Sequence, residues 1–367
     1  MSNGDLIVRE WFNSDEGAYD DLLASAPDAM FNHSRRYLHF LQTTLGTQAS
    51  PCHLVATRNG RLVGALPAFV RGGPLGPVVN SLPFFGSHGG AVVSPTETPA
   101  VRSALSQAFD SYCDSINAFS STVIDSPIRT DGRSPSAYRA NMFDDRIGQI
   151  SALPEATCAQ DAEARLIEQC HSKTRNLVRK GLKGGFEVVR TCSERAMRSL
   201  WDLHVDNMSL IGGLAKPWHV FEAIMGSFES EKDYQIYVAL ADKQVAAALL
   251  VFYFKDTVEY FTPVIAEQHR SNQPLNVLIL RAMTDAILER QARKWNWGGT
   301  WRRQEGVYHF KSRWGAKDFV YLYHVNCRQW PSSTGLRDDN ITTTDYPFFY
   351  LVPFGQSAVT TPPHRTD

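Results

Sequence analysis

Residues 233–264, DYQIYVALADKQVAAALLVFYFKDTVEYFTPV, constrain the fold more than any other stretch. Three runs rich in β-branched and aromatic residues are separated only by Asp242-Lys243 and Lys255-Asp256. A parallel crossover needs a dozen or more residues, so strands this closely spaced pair as an antiparallel meander. The flanks add helices. A helical pattern starts near Ala162 and runs through QCHSKTRNLVRKGLKGG to Gly184-Gly185, where glycine ends it. Strand 186–190 follows, then a helix capped by Ser193 and one opened by Pro217. After the meander come a helix from Pro274 to about Arg293, a short strand at Trp295-Asn296-Trp297 ending in Gly298-Gly299, a helix over 304–313 and a strand over 318–325.

The first half repeats this order in weaker form. Strand 6–10 and helices 15–25 and 34–45 precede HLVATRNGRLVGALPAFV, whose Asn59-Gly60 is a two-residue hairpin signal because both positions need positive φ. Val55-Ala56 aligns with Val238-Ala239, and Val63 with Val245 after a one-residue gap. Helix 97–117 and strand 121–126 follow, then irregular 127–145 and a crossing segment at 150–157. An internal repeat of half the chain implies two similar domains. We expect them at 1–157 and 158–330, with 331–367 as a tail whose DYPFFYLVPF packs back.

Composition narrows the function. With 43% hydrophobic and 20% charged residues the chain is globular. Lys+Arg 37 against Asp+Glu 38 gives a net charge of −1, so no DNA partner is expected and any RNA contact must come from a local patch. No apolar run is long enough for a membrane span. MSNGDLIVREWF lacks the apolar core of a secretory signal, so the expected location is cytoplasmic. The six scattered cysteines form no CxxC, which speaks against a disulfide scaffold or a zinc site.

Three stretches carry a family likeness. They are Ser172-Lys173-Thr174-Arg175-Asn176-Leu177-Val178-Arg179-Lys180 leading to Gly184-Gly185-Phe186-Glu187-Val188; Gly298-Gly299-Thr300; and Glu305-Gly306-Val307-Tyr308-His309-Phe310-Lys311-Ser312-Arg313-Trp314-Gly315. They resemble the FemABX peptidyltransferases and their relatives of the GCN5-related N-acetyltransferase (GNAT) fold. The likeness is best over 160–325 and weaker over 30–95, at YLHFLQ and LPFFGSHGG. It implies a mixed α/β chain of two tandem GNAT-like domains, each a mostly antiparallel twisted sheet flanked by helices. It also implies aminoacyl-tRNA as donor and an amine of a peptidoglycan precursor as acceptor. The family's catalytic lysine, near the reacting ester, maps onto Lys311.

Amide formation from an activated ester needs an amine near the carbonyl and donors where the oxyanion forms. It needs no Ser or Cys nucleophile, and no GxSxG is present. Lys311 is the oxyanion candidate, walled by Tyr308, Phe310 and Trp314, with Arg313 as its neighbour. Lys173, Arg175, Arg179, Lys180 and Lys183 form a basic helix. Arg175/Arg179 and Arg179/Lys183 share a face at i,i+4, suited to tRNA or precursor phosphates. His88, in Ser87-His88-Gly89-Gly90, and Arg36, beside Arg35 and Tyr37, are candidate acceptor contacts. The proton acceptor stays open among Asp206, Glu259, Glu305, His204, His269 and His309, or the leaving group itself.

A CoA-dependent GNAT enzyme holds pyrophosphate on a glycine-rich turn opening the helix after the meander. Here that place reads Arg270-Ser271-Asn272-Gln273-Pro274-Leu275. Gln273 and Leu275 replace the glycines and Pro274 removes an amide donor, so no CoA cofactor is expected. Two other readings fit the same residues. One is an acyl-CoA- or acyl-carrier-dependent N-acyltransferase on a sugar amine or small molecule; the other is a non-catalytic binding module.

Overall fold

The computed structural model describes residues 5–82, 88–97, 99–128, 138–328 and 344–352. The chain divides into two compact units: unit 1 comprises residues 1–146 and 320–367, and unit 2 residues 147–319. Both boundaries fall inside long strands, Met142–Ala152 and Ala316–Cys327.

Unit 1 begins with β1 (Leu6–Glu10), α1 (Glu16–Ser25) and α2 (Arg35–Leu45). It continues with β2 (Ala49–Pro51), β3 (Leu54–Arg58), β4 (Arg61–Leu66), β5 (Phe69–Arg71), β6 (Val78–Ser81) and β7 (Val92–Val93). Then come α3 (Pro99–Ser115), β8 (Ser120–Ile124) and the first half of β9 (Met142–Ala152). β1, β3, β4 and β7 form an antiparallel sheet. β8 pairs in parallel with β6, and antiparallel with Tyr323–Cys327 at the end of β15 (Ala316–Cys327). α3 buries Val101, Leu105 and Phe109 against Leu54, Val63 and Val79. A Cβ at Gly64 would stand 2.8 Å from Val101, so helix and strand meet closely there.

Unit 2 takes the second half of β9, then α4 (Ala159–Gln169), α5 (Ser172–Leu182), β10 (Glu187–Thr191), α6 (Glu194–Leu210) and α7 (Trp218–Ser227). The meander is β11 (Tyr234–Ala241), β12 (Gln244–Phe254) and β13 (Thr257–Ile265). α8 (Pro274–Arg290), β14 (Lys294–Thr300) and α9 (Glu305–Ser312) complete it. β10 to β13 are antiparallel neighbours, β13 meets β14 in parallel, and β14 meets β9 antiparallel. The core packs α4 and α8 on one sheet face through Leu166, Leu278, Ile279 and Met283 against Leu249, Val251, Trp295 and Trp297.

The repeat is closer in structure than in letters. Both hairpin turns take positive φ at both positions, at Asn59 and Gly60 and at Asp242 and Lys243. β3–β4 passes from Ala56 opposite Gly64 to Thr57 opposite Leu62; β11–β12 passes from Ala239 opposite Ala247 to Leu240 opposite Val245. Each hairpin thus bulges by one residue, Val63 or Ala246, at the same place. Leu62, and not Val63, corresponds to Val245, and the one-residue gap disappears.

Two local expectations change. Residues 142–152, read as irregular chain and connector, form the long strand β9. The helix read as continuous from 162 to 183 breaks at Cys170-His171, because the His171 ring accepts the Lys173 N–H and caps a second helix. Of the tail, residues 344–352 are described. Asn80 bonds both main-chain groups of Tyr350, at 2.7 and 2.9 Å, and the Tyr346 hydroxyl takes the Leu75 N–H at 2.8 Å. Residues 329–343 and 353–367 lie outside the described residues.

Candidate active site

β13 and β14 pair only over Thr257–Glu259 and Lys294–Asn296. Beyond that, β13 stays with β12 to Ile265, while β14 follows β9, placing Gly299 opposite Gly148 and Thr300 opposite Ile147. The strands part beyond Glu259 and Asn296, and the gap between their diverging ends is the candidate cleft. Two irregularities sharpen it. β13 carries an extra residue, Phe261, between the partners of Leu250 and Val251, and β14 shifts register between Asn296 and Gly299. Bulges bend and twist a strand away from its neighbour.

Lys311 reaches the β14 lip of this cleft. It is 6% exposed, and its Nζ donates to Thr300 Oγ1 at 2.7 Å and Gly299 O at 3.2 Å. An ammonium has three N–H donors, and among the described residues the third has no acceptor. Burial without a carboxylate disfavours its charge and lowers its pKa to about 8. Thr300 is itself buried and donates to Gln149 Oε1 at 3.4 Å. Gln149 Nε2 bonds the Tyr308 carbonyl at 3.3 Å, which ties β9 to α9.

The apex of the cleft holds a second titratable group. Glu259 is buried on β13 directly opposite Asn296, whose side-chain amide donates to Glu259 Oε2 at 2.7 Å. Oε1 is buried and has no hydrogen-bond partner among the described residues. Desolvation raises the carboxyl to about 7, against the smaller opposing effect of the Asn296 bond. Asn296 Oδ1 accepts the Gly298 N–H at 3.0 Å. A continuous polar chain therefore runs from Glu259 through Asn296 and Gly298-Gly299 to Lys311. Val258, Tyr260, Trp295 and Trp297 face α8, so by strand alternation Glu259 and Asn296 face the other side of the sheet.

The aromatic neighbours of Lys311 divide. Phe310 and Trp314 pack on Trp297, with ring centroids 5.9 and 6.0 Å apart, and set the helix against the sheet. Tyr308 is half-buried and donates to Asp318 at 2.8 Å. Arg313 is half-buried, and its carbonyl accepts the His171 N–H at 2.8 Å. That bond joins the start of the basic helix α5 to the end of α9. Lys173, Arg179 and Lys180 are exposed on α5, Lys183 is exposed at its C-cap, and half-buried Arg175 donates to the Glu168 carbonyl at 3.3 Å.

Arg36 and His88 belong to unit 1. Arg36 is exposed on α2; its neighbour Arg35 pairs with Asp20 and Glu16. His88 is buried edge-on to Tyr321, ring centroids 5.0 Å apart. Pro83, Phe84, Phe85 and Ser87 lie outside the described residues. Of the open base candidates, Asp206, Glu305 and His309 are exposed and His269 is half-buried. His204 is buried, accepts the Lys216 N–H through Nε2 at 3.0 Å, and is held neutral with a pKa lowered to about 4 by burial and by Lys216.

The helix start after the meander does not fit a CoA pyrophosphate. Gln273 is left-handed, Pro274 has no N–H, and the Asn276 N–H is taken by the Gln273 carbonyl. Pro274, Leu275, Asn276 and Val277 are all buried. Gly181 of α5 sits so close that a Cβ would stand 2.8 Å from the Gln273 carbonyl oxygen and from Val277. Among the described residues no group of three or more His, Cys, Asp or Glu is placed to hold a metal, and no helix is long and apolar enough to cross a membrane.

Sequence reasoning missed Gln149, Asn296, Thr300 as a lysine partner, and Lys216. Only the Gly298-Gly299-Thr300 motif pointed toward any of them.

Residues 168–312 match the family model of an acetyltransferase (GNAT) domain. No curated protein matches the chain by sequence. Among solved structures, FemX superposes with a TM-score of 0.67 at 12% identity, covering 86% of this chain and 96% of FemX. A tandem GNAT protein from the clavulanic acid biosynthesis pathway gives 0.51 at 12% identity, over 90% of this chain and all of that one. The C-terminal domain of a putative lysylphosphatidylglycerol synthetase from Agrobacterium fabrum gives 0.52 at 10%, over 93% and 99%. The matched domain and the shared architecture together give the chain a tandem GNAT-like fold of the kind seen in FemX, with the similarity to an acetyltransferase (GNAT) domain confined to residues 168–312.

Proposed function

We propose that the protein joins an activated aminoacyl group to an amine, with aminoacyl-tRNA as donor and a cell-wall precursor or peptide-like natural product as acceptor. The observation that carries this reading is Lys311, buried at the cleft with two N–H donors fixed by Gly299 and Thr300 and the third unused. The amine nitrogen attacks the ester carbonyl, the C–N bond forms, and the oxygen gains charge that the third Lys311 N–H meets. A fixed donor in a desolvated site is worth more than one in water. Glu259, with Oε1 unpartnered and a pKa near neutrality, accepts the proton the amine sheds. The C–O bond to the leaving ribose oxygen then breaks, and that oxygen takes a proton.

Two features favour an anionic donor other than CoA: the blocked start of α8 and the exposed basic face of α5 joined to α9. The test incubates purified protein with charged tRNAs or acyl-CoAs plus candidate amines and follows product mass. Acceptor-dependent discharge of tRNA, abolished by RNase, is expected. Transfer from acyl-CoA with tRNA inert would reassign the donor and make the protein an N-acyltransferase.

A further inference from the structure

The cleft has a second lysine, on its other lip. Lys216 lies in the loop between α6 and α7, half-buried, with Nζ 3.4 Å from Thr262 Oγ1 and 5.0 Å from the centre of the Phe261 ring. Thr262 is on β13, three residues beyond Glu259, so it stands roughly 10 Å or less along the strand from the cleft apex. It pairs with Leu250, and Glu259 with Phe252, so both face the same side, toward α6 and α7.

This lysine is placed with care. Its N–H is held by His204 Nε2 at 3.0 Å and its carbonyl by the Trp201 indole N–H at 3.0 Å, both from α6. α6 is in turn locked to the end of β13, because Asn207 bonds both the N–H and the carbonyl of Ile265. Yet among the described residues no carboxylate lies within ion-pair distance of Nζ, and burial lowers its pKa to about 8. Two residues on, the Trp218 indole N–H is buried without an acceptor among the described residues. A desolvated cation with a rigid main chain and no anion costs stability, and an anionic ligand relieves that cost.

We propose that Lys216 and Thr262 bind a carboxylate of the amine acceptor, which is therefore amino-acid-like, with its carboxylate a few bonds from the reacting nitrogen. One ammonium and one hydroxyl match the two oxygens of a monoanion. The Thr262 hydroxyl, accepting from Lys216, keeps its own proton to donate. A phosphate would call for more donors than this lip supplies. The assignment of the ligand as acceptor rests on the amide-forming reading; the anion site itself does not.

The test uses N-acetylglycine, a minimal acylated amino acid, against N-acetylglycinamide and inorganic phosphate. The Lys216 side-chain signal is followed by NMR in 13C-lysine-labelled full-length wild-type protein, and probe affinity is measured in wild type and every variant by isothermal titration calorimetry. N-acetylglycine should shift it saturably, and the carboxamide should bind at least about tenfold more weakly, as expected on losing a charge-assisted bond. Lys216→Met should abolish the difference between the two probes and Lys216→Arg should retain it, both with wild-type circular dichroism. Thr262→Val should weaken N-acetylglycine alone, which a packing role for Thr262 would not do. Equal binding of both probes, unchanged binding in Lys216→Met, or phosphate binding without N-acetylglycine binding overturns the proposal. No turnover is required. If Lys311→Met keeps full activity while these shifts stand, the proposed function fails and the anion site survives.

Discussion

The two units share a plan and differ at one place. In each, a bulged hairpin precedes a proline-initiated helix, and the strand after that helix pairs in parallel with a strand before it. In unit 2 the parallel pair is β13 and β14, with three pairs of facing residues, and it then parts around Glu259, Thr262 and Thr300. In unit 1 it is β6 and β8, with four, every residue of both strands buried. There Asn80 and Thr122 bond Tyr350, and Ser120 donates to the Leu351 carbonyl. The chain's own tail thus satisfies the polar groups at the equivalent point, whereas in unit 2 a lysine donor and a carboxylate oxygen have no partner among the described residues. On the proposed function, the same architecture serves as a stable scaffold once and as a reactive cleft once.

Substitutions can break or sharpen this contrast. Removing the unused donor, Lys311→Met, should lower kcat by about 10²–10³-fold, the usual cost of one oxyanion donor, with circular dichroism unchanged. Glu259→Gln should lower kcat by about 10²-fold, at the low end for a general base. It should also alter stability with a definite sign. The folded pKa is raised from 4.5 to about 7. Between those values the unfolded chain is ionised and the folded one holds its proton, so wild-type stability falls as pH rises. The glutamine variant lacks that fall and should gain on the order of 2 kcal/mol over wild type between pH 4.5 and 7, as read by urea titration at both ends.

Smaller effects belong to packing. Gly181→Val forces a side chain against the Gln273 carbonyl and Val277, where α5 meets α8, and should cost about 2–3 kcal/mol in denaturant midpoint. Asn80→Ala strips both main-chain groups of Tyr350 of their partner and should cost about 1–2 kcal/mol. It should leave kcat unchanged. A tenfold loss of turnover in Asn80→Ala would put unit 1 into the chemistry and erase the contrast.

The meander, both hairpins and the Phe-Lys helix were legible because their signals are local: strand runs with two-residue turns, and a lysine between aromatics. The cleft was not. Gln149 lies between the stretch read as irregular, 127–145, and the crossing segment read at 150–157, and its segment becomes a strand because β14 and β15 flank it. Lys216 follows Ile211-Gly212-Gly213-Leu214-Ala215 with no pattern of its own; its placement comes from His204 and Trp201 on a helix turn before it. The break at Cys170-His171 was hidden because a histidine ring caps α5 in place of the usual Ser, Thr, Asp or Asn. Residues whose roles depend on partners far along the chain leave no local trace.

The pH dependence of kcat tests the central claim most directly. The proposed mechanism needs Glu259 ionised and Lys311 charged, with pKa values near 7 and 8. Wild type should show a narrow bell whose apparent limbs belong to the coupled site. Glu259→Gln should lose the acid limb and Lys311→Met the alkaline limb. A profile that keeps the same shape in all three proteins would contradict the assignment of the chemistry to this cleft.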